Sequence, residues 1–133
     1  MIEIWTPVTY RGSAWPYEVS NLGRVRNKYG KVLKTRMRGQ RNGTYPFITL
    51  CRNGLKRNVD VHRLCALHFV PNFERKREVN HIDNDNMNHS AWNLEWVTRS
   101  ENEMYKYYPT LILQVRTPLS MAEELRGKEV IPF

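Results

Sequence analysis

Between Glu78 and Asn102 the chain reads EVNHIDNDNMNHSAWNLEWVTRSEN, two short apolar runs split by an amide-rich loop. Val79, His81 and Ile82 stand among polar neighbours, which predicts a strand ending in the turn-rich segment Asp83 to Asn88. A second strand is predicted over Leu94 to Val97, directly after Asn93. Thr98 or Ser100 then caps a short helix carrying Glu101, Asn102 and Glu103, because a Ser or Thr oxygen satisfies the free N–H groups of a first turn. Strand, loop, strand and helix form a unit able to gather Asn80, His81 and Asn102 around one point. Trp92 and Trp96 read as anchors of its small core, since so short a unit has little else to bury.

The first half is richer in strand signals. Tyr17 to Val19, Gly23 to Arg26 and Val32 to Lys34 are short strand candidates. Tyr45 to Leu50 and Leu55 to Val61 are β-rich runs separated by Cys51-Arg52-Asn53-Gly54, and Asn-Gly is a strong hairpin turn signal. His62 to Phe69 then reads as a helix, apolar at Leu64, Leu67 and Phe69 and ended by Pro71. The expected class is α+β: an antiparallel β-rich N-terminal part followed by the strand-loop-strand-helix unit.

Charge divides the same way. Residues 1–80 carry 16 Lys plus Arg against 5 Asp plus Glu, a net of +11, whereas residues 81–133 carry 5 against 8, a net of −3. Arg24, Arg26, Lys28, Lys31, Lys34, Arg36, Arg38 and Arg41 follow one another with no acid between them. An ordinary solvated face interleaves acids, so this block points to a polyanion. Arg24, Arg26 and Lys28 alternate at strand period and would share one side of a sheet. Arg52, Lys56 and Arg57, at the hairpin tip and second arm, come within reach of a groove if that sheet faces double-stranded DNA.

Three separated elements carry a family resemblance: Val79-Asn80-His81-Ile82-Asp83, Asn93-Leu94-Glu95-Trp96 and Glu101-Asn102. In this order and spacing they resemble the HNH nucleases of the ββα-metal fold, in particular phage and intron-encoded homing endonucleases. His62-Arg63-Leu64 and Phe69-Val70-Pro71-Asn72 resemble the helix that precedes the motif in that family. The run Tyr17-Glu18-Val19-Ser20-Asn21-Leu22-Gly23-Arg24-Val25-Arg26, with Trp5 before it, resembles the NUMOD-type module often joined to such nucleases. The resemblance implies a basic DNA-binding module over residues 1–44, a nuclease core over 45–106 and an extension of unassigned role over 107–133.

The chemistry of such a site is hydrolysis of a phosphodiester, which needs a deprotonated water and a sink for developing negative charge. With an unperturbed pKa of about 6.5, His81 can be neutral at physiological pH and accept the water's proton. The resemblance assigns it that role, places one Mg²⁺ or Mn²⁺ on Asn80 and Asn102, and has Asn93 brace the loop that orients the base. Many relatives carry Asp at the first position, so Asn80 removes a formal charge and metal affinity without DNA should be weak. Asp83 and Asp85 invite comparison with a calcium loop, but the glycine that loop requires at its sixth position is missing. Cys51, His62, Cys65 and His68 raise structural zinc; their helical and hairpin spacing, with no CxxC pair, argues against it. His89 falls in a polar loop and is expected to be exposed.

Several function classes drop out. No apolar run approaches the roughly 20 residues that span a bilayer, and no basic segment leads into an apolar one at the N-terminus. Two cysteines are too few for a disulfide framework and fit a reducing compartment, so a cytoplasmic setting is expected. In the tail, Leu111 to Val115 reads as a strand and Ser120 to Gly127 as a capped helix, serving packing or self-association. Two readings remain: a metal-dependent DNA endonuclease, and a catalytically inactive DNA-binding protein on the same scaffold.

Overall fold

The protein is described by a computed structural model over residues 2–40 and 43–107. Arg41 and the elements expected beyond residue 107 lie outside the described residues. The chain begins with β1 (Trp5–Tyr10), β2 (Ser13–Ser20) and β3 (Val25–Asn27), an antiparallel sheet in sequence order. A second antiparallel sheet follows from β4 (Arg36–Gln40), β5 (Gly43–Arg52) and β6 (Leu55–Asp60). Then come α1 (Val61–Phe69), β7 (Glu78–His81), a 3-10 turn at Ala91–Asn93, β8 (Leu94–Val97) and α2 (Arg99–Tyr107). β7 and β8 pair antiparallel, so the class is α+β as expected.

Alternation explains how the first two sheets close on each other. Pro46, Ile48 and Leu50 of β5 are buried on one face with Val59 of β6, and Ile48, Leu50 and Val59 meet Val8, Trp15, Val19 and Val25 of the first sheet. Val61 and Leu64 of α1 complete that core, so residues on both sides of the 44/45 junction share it. A smaller cluster of Cys65, Ala66, Ala91, Leu94 and Trp96 fastens the other face of α1 to β8. The Trp96 indole N–H donates to the Val70 carbonyl at 3.0 Å, satisfying its polar end where the helix stops.

The β5–β6 hairpin forms as expected, with Asn53 and Gly54 at φ of 49° and 80°, the paired left-handed values of a type I′ turn. The capping box also forms: Thr98 Oγ1 accepts from the Glu101 N–H at 3.1 Å, and Glu101 Oε1 accepts from the Thr98 N–H at 2.9 Å. The strand expected at Val32 to Lys34 does not form. Val32 makes only an isolated antiparallel bridge to Arg26, closed by the Leu33 N–H on the Val25 carbonyl at 2.8 Å and the Asn27 N–H on the Lys31 carbonyl at 2.9 Å. Among the described residues no helix is long and apolar enough to cross a membrane.

Candidate active site

His81 ends β7 opposite Leu94 and is 3% exposed. Its ring lies in a column of aromatics from four separate elements. His62, near the start of α1, stands 4.8 Å away between centroids, Tyr45 of β5 lies stacked at 6.0 Å, and His89 meets the ring edge-on at 5.6 Å. His81 Nε2 and His89 Nδ1 are 3.4 Å apart and share a hydrogen bond whose direction follows the tautomer. Burial, then repulsion from His89, pushes His81 down to about 4, with Asp83 and Asp85 pulling weakly the other way. Burial takes His62 further, to about 3, and among the described residues its Nδ1 has no hydrogen-bond partner. These rings are neutral imidazoles at pH 7. His89, expected to be exposed, is instead half-buried against the His81 ring, because the loop folds back over the end of β7.

Asn93 is fully buried and does not face the cavity beside His81. Its Nδ2 donates to Asp83 Oδ1 at 2.9 Å and to the Asn88 carbonyl at 3.0 Å, while its Oδ1 accepts from the Asp83 N–H. One amide thus closes the Asp83–Asn88 loop at both ends. Burial alone would raise the Asp83 carboxyl, but the amides of Asn88 and Asn93 and the Asp85 N–H together hold it below its ordinary value.

β7 pairs only with β8, which leaves its other edge open among the described residues. A cavity of about 380 Å³ runs along that edge, lined by all four β7 residues together with Tyr45, Arg99 and Asn102. Residues of both strand faces reach it for that reason. Asn80 and His81, neighbours in sequence, thereby share the cavity with Asn102 of α2, and Asn102 Nδ2 donates to Glu78 Oε1 at 2.9 Å. That bond commits the amide's nitrogen and leaves its Oδ1 as an acceptor. Amide and carboxylate oxygens without sulfur are the donor set of a hard cation, so Asn80, Asn102 and their surroundings fit Mg²⁺ or Mn²⁺. The residues raised as zinc candidates have different surroundings. Cys65 is buried with its thiol pushed up to about 12 by desolvation, Cys51 is exposed on β5, and His68 accepts the Thr9 N–H at 3.0 Å.

The basic block is distributed over two sheets, and acids remote in sequence meet part of it. Arg24 pairs with Glu3 and Arg26 with Glu18, the two guanidinium groups sharing the Trp5 ring at 5.6 and 4.1 Å. Arg38 pairs with Asp60 at 3.0 Å and, with Arg36, stacks over Phe47. Among the described residues Lys28, Lys34 and Arg36 make no ion pair. Lys28 lies over the Tyr29 ring, Lys34 is exposed, and Arg36 donates to Thr49 Oγ1 at 2.9 Å. Register separates the hairpin cations. Lys56, opposite Cys51, shares the outward face with Arg36, Arg38 and Tyr45, whereas Arg57, opposite Leu50, and Arg52, which packs on Trp15, take the other face. Tyr45 therefore ends the outward basic face at the His81 column.

Tyr45, His62, His89, Glu78 and Arg99 were not singled out as site residues by sequence reasoning. Only Glu78 carried a usable signal, standing two residues before Asn80 on the same strand, hence on the same face.

Residues 3–51 match the NUMOD4 motif. Along 98% of its length the chain is 34% identical to an uncharacterized HNH endonuclease, L247, of Acanthamoeba polyphaga mimivirus, covering 33% of that protein. It is 38% identical over 71% of its length to the DNA endonuclease I-HmuI of Bacillus phage SP01, covering 55% of it. A solved structure of DNA binding and cleavage by the HNH homing endonuclease I-HmuI superposes with a TM-score of 0.66 at 32% identity, over 93% of this chain and 66% of that one. The chain thus spans a third to about half of the curated relatives' lengths.

Proposed function

Because the chain belongs to the HNH homing endonuclease family, we propose that it is a metal-dependent DNA endonuclease that nicks duplex DNA, cutting one strand per active site. The observation that carries this reading is a neutral, buried histidine at the edge of a cavity whose other walls present amide and carboxylate oxygens. His81 takes the proton of the attacking water as the water's oxygen bonds to phosphorus and the 3′ oxygen leaves. Its low basicity suits it only to a water that is already acidified. A hard divalent cation held by Asn80 and Asn102 would supply that acidification and neutralise charge on the phosphate. Asn93 keeps the loop closed so that His89 stays against His81, and Arg99 offers a cation to the phosphate at the cavity wall.

DNA reaches the site along the outward face of β4, β5 and β6, tracked by Lys34, Arg36, Arg38 and Lys56, with Arg24, Arg26 and Lys28 continuing onto the first sheet. Residues 1–44 act as the DNA-binding module and 45–106 as the nuclease core, on one shared hydrophobic interior.

The test is conversion of supercoiled plasmid to open circles in Mg²⁺ or Mn²⁺. His81→Ala should keep DNA affinity and fold while lowering the nicking rate by about 10² or more. Nicking by that variant at the parental rate refutes the assignment of the base. A second reading, a DNA-binding scaffold without activity, rests on Asn80 standing where an acid would serve the metal. Absence of open circles from the parental protein in either metal would establish it.

A further inference from the structure

We propose that Glu78 supplies the charged oxygen of the cation site, replacing the carboxylate that Asn80 lacks, and that the same side chain orients Asn102. This rests on the nuclease reading only for the identity of the site, not for its outcome. Strand alternation sends Val79 toward Trp96 and the small core, and Glu78 with Asn80 toward α2. Glu78 and Asn80 both line the cavity, and Glu78 Oε1 already accepts from Asn102 Nδ2 at 2.9 Å. A carboxylate has two oxygens and about four lone-pair directions, so one hydrogen bond leaves a full oxygen for a cation. The bond also turns Asn102 so that its own oxygen is the unspent end.

Charge makes this placement matter. Two neutral amides compete poorly with water for Mg²⁺ or Mn²⁺, which protein sites hold through one or two carboxylates. The other acids nearby are spent or misplaced. Asp83 is held by Asn88 and Asn93, Asp60 by Arg38, and Glu95, across the ladder from Asn80, does not line the cavity. Glu103 does line it, from an exposed position on α2. Arg99 shares the cavity without an ion pair to Glu78.

The substitution that separates ligand from mere hydrogen-bond acceptor is Glu78→Gln, which keeps the shape and a carbonyl for Asn102 but removes the charge. Mn²⁺ alone, titrated into DNA-free protein and followed by electron paramagnetic resonance, should bind the parental protein. It should bind Glu78→Gln about tenfold or more weakly, at unchanged melting temperature. Adding Asn80→Asp to Glu78→Gln should restore affinity, and Glu103→Gln should leave it unchanged. Equal affinity of the parental protein and Glu78→Gln, no binding by the parental protein, or no restoration in the folded double variant would each overturn the proposal. Plasmid nicking is scored separately. A parental protein that binds Mn²⁺ through Glu78 yet never nicks refutes the nuclease reading alone, and one that nicks while Glu78→Gln binds normally refutes the ligand alone.

Discussion

The interior between the first two sheets and the unit built from β7, β8 and α2 are held together by different forces. The former is a dry cluster in which Val8, Val19, Leu50 and Leu64 are completely buried, supported by strands of up to ten residues. The latter pairs strands of four residues and fixes its loop with side-chain amides, the Asn93 bonds above all. Apolar burial is non-directional and sums over many contacts, while a hydrogen-bond network sets positions of individual atoms. More of the apolar burial lies in the first region, while in the second side-chain hydrogen bonds add fixed positions for individual polar atoms.

The contrast is most easily broken by truncating one residue of each kind. Leu50→Ala should cost about 2–5 kcal/mol of unfolding free energy, read by denaturant melts, while leaving kcat of the folded fraction close to parental. Asn93→Ala should do the reverse in proportion, lowering the nicking rate by about 10² for about 1–3 kcal/mol of stability, because the Asp83 N–H and the Asn88 carbonyl lose their side-chain partner. Equal damage to rate from both would mean that the two regions are not separable.

Acid sharpens the comparison, since the histidine column joins the regions. His62 and His81 sit at about 3 and about 4 in the folded chain against an ordinary 6.5. The folded protein keeps both neutral while the unfolded chain binds protons below 6.5, so stability is fully present above that pH and falls as pH drops toward 4 and then 3. The melting temperature should decline between pH 7 and pH 5, and His62→Phe should shrink that decline by roughly a third to a half. An unchanged slope would place the acid sensitivity elsewhere.

The smallest effect concerns the surface between them. Replacing Lys34, Arg36 and Arg38 with Ala should weaken binding to all duplexes alike and flatten log K against log salt by about 0.9 per lost phosphate contact. Because Arg38 is paired with Asp60, its share should be less than that of Lys34 and Arg36. A salt slope identical to the parental one would show that this face is only solvated.

These regions also differed in how far the sequence revealed them. Local chemistry was legible where a few adjacent residues decide the outcome, as at Asn53-Gly54 and at the Thr98 cap. β1 and β4 escaped notice, the first because Pro7 interrupts its pattern and the second because Arg36 and Arg38 read as charge rather than as strand alternation. Asn80, His81 and Asn102 do share one cavity, since the motif encodes their spacing. The His62 and Tyr45 rings beside His81 were invisible, because only tertiary packing brings a helix start and a strand start to the end of β7. For the same reason the unbroken run of basic residues concealed Glu3, Glu18 and Asp60, its actual neighbours.

Gly23 has a φ of +79°, and a Cβ there would stand 2.3 Å from the Cβ of His89. The turn after β2 is thereby pressed into the loop behind His81, and the Ala91 N–H donates to the Asn21 carbonyl at 2.8 Å beside it. Grafting a different segment before β4 would change the footing of the Asp83–Asn93 loop. Recombination between relatives is therefore constrained at this joint: a chimaera whose donor turn bears any side chain at position 23 should fold around its intact interior yet lose cleavage, so that module and loop are inherited as one piece.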